Sequence, residues 1–117
     1  MAPNPIFPRL SRTQIAFLAG LLVGEGSFTG DNHQPHCALK MTARHEHLLR
    51  LVQSWRPPSR IYGRHVMRGN RQDTFMVIWR GPALGQLIHE LEDFGLEHYC
   101  PHVFRRMMVT KARLLED

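Results

Sequence analysis

The sequence predicts an α+β fold in which helices cover one face of a four-stranded antiparallel sheet. Two observations carry that expectation. Two pairs of segments alternate polar and apolar residues with period two, each pair broken by a turn-rich stretch, and so read as hairpins. Between and after them run segments with apolar residues at helical spacing, giving the order helix, hairpin, helix, hairpin, helix, helix. With 117 residues, 43% of them hydrophobic, the chain supports one core. Such an order buries one sheet face under the helices and leaves the other open.

Each element has its own signal. Pro3, Pro5 and Pro8 make residues 1–10 an extended N-terminal arm, with residues 11–117 as a single domain. Ser11 followed by Gln14 forms a capping-box pattern, with Leu10 and Ile15 at the staple positions, so the first helix starts there and stops at Gly24 and Gly26. The first hairpin spans Ser27 to Thr42 around a turn near residues 31–35. In its second strand Cys37, Leu39 and Met41 face one way and His36, Ala38, Lys40 and Thr42 the other. A second helix fits Arg44 to Trp55 and ends at Pro57-Pro58. Strands at Arg60–Arg68 and Thr74–Arg80 make the second hairpin, with Phe75, Val77 and Trp79 as core residues. The opposite face of that last strand is less polar than a solvated face should be, which points to a covered or contacting surface. A third helix begins at Pro82 and runs towards Gly95, and Pro101 opens the last.

The formal net charge is +5, and Lys40 and Lys111 are the two lysines among 15 basic residues. Arginine offers a planar fork that matches phosphate and the guanine edge, so the bias favours a nucleic-acid partner. The open sheet face would carry Ser27, Thr29, His36, Lys40, Tyr62, Arg64, Arg68 and Arg80, with His33 in the turn beside it. A basic, twisted sheet of this kind suits the DNA major groove. No segment reaches the ~18 uninterrupted apolar residues of a membrane span, and the N-terminus lacks a signal pattern, so the expectation is an intracellular, non-secreted protein with no membrane partner. Cys37 and Cys100 are expected to be free thiols. The spacings of His33, His36 and Cys37, and of His98, Cys100 and His102, match no familiar zinc pair.

The stretch Phe17-Leu18-Ala19-Gly20-Leu21-Leu22-Val23-Gly24-Glu25-Gly26-Ser27-Phe28 is an apolar helix that ends in one carboxylate between two glycines. It resembles the signature of the LAGLIDADG homing endonucleases. Leu18-Ala19-Gly20-Leu21 matches its first half and Gly24-Glu25-Gly26 its acidic end. Glutamate here is an accepted variant of the usual aspartate. The αββαββα order of that family agrees with the elements read above.

The resemblance implies a site-specific double-strand DNA endonuclease, acting in intron homing as a homodimer on a long pseudo-palindromic site and leaving 3′ overhangs. It implies that Ala19, Gly20, Val23 and Gly24 lie in the dimer interface, and that Glu25, with Gly24, binds Mg2+ or Mn2+ and serves catalysis. Pro101-His102-Val103-Phe104-Arg105-Arg106 resembles the family's basic catalytic segment, which places Arg105 and Arg106 in catalytic roles. A helix C-terminus already carries partial negative charge, so a carboxylate there is eased by a cation with hard oxygen ligands. The alternative is a non-cleaving nucleic-acid-binding member of the same fold, an RNA maturase or a transcription regulator.

Overall fold

The computed structural model describes residues 7–29, 34–56, 60–66, 69 and 73–116, with the backbone alone at 60, 64 and 65. The elements are α1 (Arg12–Glu25), β1 (Gly26–Thr29), β2 (His36–Thr42), α2 (Glu46–Trp55), β3 (Arg60–His65), β4 (Thr74–Trp79), α3 (Gly81–Phe94), α4 (Leu96–Tyr99) and α5 (Pro101–Glu116). The α+β architecture matches the expected one. The strands form one antiparallel sheet in the order β1-β2-β4-β3, so β2 and β4 are interior and β1 and β3 are edges.

The sequence signals act where they were read. Ser11 caps α1 reciprocally: its hydroxyl accepts from the Gln14 N–H at 3.1 Å, while its own N–H donates to Gln14 Oε1 at 2.9 Å. Gly95 closes α3 in the left-handed region, with φ of 91°. Cys37, Leu39, Val77 and Trp79 are fully buried on the sheet's inner face, against Leu18 and Leu22 of α1, Leu49 and Val52 of α2, and the apolar stripe of α3.

Four details differ from expectation. Residues Ala43–His45 form a 3-10 turn, and α2 starts at Glu46 rather than Arg44, because Thr42 is still extended. Arg80 leaves β4 and becomes the N-cap residue of α3, its carbonyl accepting from the Leu84 N–H at 3.3 Å. A single extra turn, α4, links α3 to α5. In β3 the register shifts between Tyr62, opposite Met76, and His65, opposite Thr74. Gly63 takes up that irregularity with φ of 120°, so simple alternation from Tyr62 to Arg64 does not hold.

The described part of the expected arm, residues 7–10, is a strap tied to α3 and α2. Phe7 exchanges two hydrogen bonds with the Gln86 side chain, at 3.0 and 2.8 Å, and the Leu10 N–H donates to Glu90 Oε1 at 3.1 Å. Beneath it lies a buried ion pair, Arg56 with Glu90, and Arg56 also donates to the Pro8 carbonyl at 3.1 Å. The Trp79 indole donates to the Arg56 carbonyl at 3.1 Å, joining strap, α2, α3 and β4 in one network. Both cysteines are free, and burial pushes the Cys37 thiol well above its ordinary value.

Candidate active site and nucleic-acid face

Helix α1 passes into the sheet without a linker. Glu25 is its last residue, Gly26 is already the first of β1, and the Gly26 N–H closes the helix on the Leu22 carbonyl. A Cβ at Gly26 would stand 2.8 Å from both the Leu22 Cα and its carbonyl oxygen, so the corner demands glycine. The consequence is positional. Glu25 is exposed where the helix end meets the edge of the sheet, with Ser27 exposed beside it and Phe28 turned into the core.

The outer side of α1 is apolar but uncovered. Phe17 and Val23 are 42% and 41% exposed, and Gly20 and Gly24 are exposed on the same side. Apart from the helix's own backbone, no atom among the described residues lies within 4 Å of a Cβ placed on either glycine, so nothing among those residues requires them to be glycines. Ala19 departs from expectation: it is 3% exposed and packs into this chain's own core with Leu18 and Leu22. At 100° per residue it lies on the inward side that Ile15 and Leu22 define, whereas Gly20 and Gly24 are exposed.

The start of α5 faces the same corner. Val23, Gly26, Ser27, Phe28 and Thr29 line one side of a cleft of about 460 Å³, and His102, Val103 and Arg106 line the other. Arg106 donates from Nε to the Phe28 carbonyl at 2.9 Å, which ties α5 to edge strand β1 and fixes a positive charge in the cleft. Arg105 is exposed and does not line it. The structure therefore separates two arginines that the sequence grouped. It adds His102, one turn before Arg106, which the sequence named within the same segment but without a role of its own.

Across the open sheet face, Ser27, Lys40 and Arg80 are exposed, and Thr29, His36, Met76 and Tyr62 are half-buried. The His36 ring bonds the Gln34 carbonyl at 3.0 Å. Arg64 lies in the irregular stretch of β3, and His33 and Arg68 fall outside the described residues. The four strands contain no carboxylate at all, whereas α3, α4 and α5 together carry Glu90, Glu92, Asp93, Glu97 and Glu116. Acid is thus segregated to the helical side, leaving the open face positive or neutral.

Sequence reasoning missed the roles of Arg56 and Glu90. One signal was present: Glu90 sits three residues after Leu87 and next to Leu91, inside the apolar spacing of α3. Metal ligands do not gather within one chain, since no group of three or more His, Cys, Asp or Glu side chains fit to hold an ion occurs among the described residues. No helix among those residues is long and apolar enough to cross a membrane.

No protein-family model matches the chain, and no curated protein does. Solved structures do. The LAGLIDADG meganuclease I-CpaMI bound to uncleaved DNA superposes with a TM-score of 0.55 at 18% identity, covering 85% of this chain and 37% of that one. A point mutant of I-SmaMI gives 0.54 at 14% identity, covering 98% and 48%. This chain therefore spans less than half the length of either. Element order, sheet topology and these superpositions together give the chain the fold of the LAGLIDADG meganucleases.

Proposed function

We propose that this protein is a site-specific double-strand DNA endonuclease that works as a homodimer joined along the outer side of α1. One observation carries the reading: a single helix bears both an uncovered apolar and glycine face and, at its end, an exposed carboxylate without an ion-pair partner among the described residues. Two exposed glycines inside a helix cost roughly 1 kcal/mol each relative to alanine. That cost is offset where a second helix approaches closely across them. In a two-fold dimer each Glu25 would then stand beside its symmetry mate at the joined helix ends. Neighbours twice this chain's length, one of them bound to DNA, are consistent with two copies here doing what one longer chain does there.

One carboxylate cannot by itself hold a divalent cation firmly, whereas two carboxylates and nearby helix-end carbonyls make a hard oxygen set. Glu25 and the Gly24 carbonyl would hold Mg2+ or Mn2+. When bound, the cation supplies positive charge that polarises a phosphodiester and acidifies water. The chain's own groups then orient the DNA. Arg106, fixed by Phe28, presents charge to the phosphate at the cleft, while Arg105 is free to meet the backbone farther along. Ser27, Thr29, His36, Lys40, Tyr62 and Arg80 would contact a long, pseudo-palindromic site through the open sheet, His33, Arg64 and Arg68 would add further DNA contacts, and the cut would leave 3′ overhangs.

The test is cleavage of a library of candidate insertion sites by the purified dimer with magnesium. Glu25→Gln should lower the cleavage rate roughly 10²-fold or more, the scale on which loss of one charge-stabilising group acts, with the target still bound. A folded, DNA-binding wild-type dimer that never cuts would place the protein among non-cleaving binders instead.

A further inference from the structure

The open sheet face contains a bridge between two of its side chains. Arg80 Nη1 donates to the Tyr62 hydroxyl at 3.3 Å. Tyr62 of β3 is in register with Met76 of β4, four residues before Arg80, so the bridge passes over the position of Ile78. Ile78 is 9% exposed, and its in-register neighbour Ala38 is 6% exposed. Arg80 itself is exposed and has no carboxylate partner among the described residues.

Both ends of the Arg80 side chain are therefore fixed. Its backbone is the joint between β4 and α3, extended at φ −135° and ψ 167°, with its carbonyl engaged by Leu84. Its guanidinium is steadied by a phenol across the sheet. A tether of this kind removes part of the rotamer entropy that a long side chain loses on binding. It also decides which donors remain: with one Nη1 hydrogen committed, Nη2 and Nε stay available as a side-on fork. That pair matches the O6 and N7 acceptors of guanine.

Position separates base reading from phosphate contact. Strands lie about 4.8 Å apart, so a four-stranded sheet is about as broad as the roughly 12 Å major groove. Edge strands then run near the phosphates and interior strands over the base edges. Arg80 continues interior strand β4. Accepting the proposed DNA-binding sheet, on which this rests, we infer that Arg80 reads one guanine in each half-site and that Tyr62 is the positioning residue that aims it.

The experiment is selection of binding sites from random duplex DNA by the full chain, repeated for Tyr62→Phe, Arg80→Lys and the double variant, with thermal melting as a fold control. Wild type should enrich a site with guanine at one position per half-site. Arg80→Lys, which keeps the charge but loses the fork, should lower that preference about tenfold. Tyr62→Phe, which keeps the ring, should lower it three- to tenfold at the same position, with the salt dependence of binding unchanged. The double variant should lose little more than Arg80→Lys. An unchanged preference in Tyr62→Phe overturns the positioning role. Equal weakening on all sequences with a shallower salt slope in Arg80→Lys makes Arg80 a phosphate contact and overturns its base-reading role. A wild-type chain that enriches no sequence refutes the DNA-binding reading itself, and this assignment falls with it.

Discussion

Gly20, Gly24 and Gly26 stand close together in the sequence, yet of the three only Gly26 is held to glycine by its own fold. At Gly26 the obstacle is backbone: a Cβ would meet the Leu22 Cα and carbonyl oxygen at 2.8 Å, atoms that cannot swing aside. Gly26→Ala should therefore destabilise the fold by about 1–3 kcal/mol, the usual cost of overpacking, seen as a lowered denaturation midpoint. An unchanged midpoint would show that the helix end has room to relax. The two thiols separate just as sharply. Cys37 is fully buried with its thiol pushed up, while Cys100 is half-buried. A thiol reagent should modify Cys100 in the native protein and reach Cys37 only as the protein unfolds. Comparable native labelling of both would contradict the packing around β2.

Helix α1 is the element on which the functional reading turns. Its cap, its stop and its motif were all visible in the residues, but its orientation was not. A helix apolar on every side gives periodicity no contrast, so nothing in the spacing told Ala19, which faces the core, from Gly20, which faces outward. The open space at Gly20 makes a prediction with two signs. Gly20→Ala should raise the intrinsic stability of the helix by roughly 1 kcal/mol, since no neighbour obstructs the added methyl. The same methyl should weaken self-association if two α1 helices meet there. Thermal melting and sedimentation across a concentration series separate the two effects. Association as tight as wild type would move the dimer contact off this helix.

For the whole molecule, charge is distributed by layer. Carboxylates concentrate on α3, α4 and α5, where several are spent in pairs such as Lys111 with Glu92 at 2.8 Å and Arg9 with Asp93 at 2.8 Å. The strands carry none. A chain arranged in this way should bind duplex DNA with affinity that falls linearly in log–log form as salt rises, by about 0.9 for each phosphate neutralised. Fluorescence anisotropy over a salt series measures it. Salt-independent binding would mean that the basic face is not the contact surface.

The sequence by itself determined the order of elements, both hairpins, the faces of β2 and β4, and the resemblance of the α1 stretch to a known signature. These are local properties, written in spacings of two and of three to four residues and in caps and turns. The tertiary structure decided what depends on distant neighbours. It placed Arg56 against Glu90 under the Pro8 strap, so that one arginine of a chain rich in them serves the core and not a ligand. It brought Arg106 and His102, but not Arg105, to the corner after Glu25, and tethered Arg80 to Tyr62 across the sheet. Composition counts charges, and helical spacing names faces; which face meets which element is fixed by packing between segments far apart in the chain.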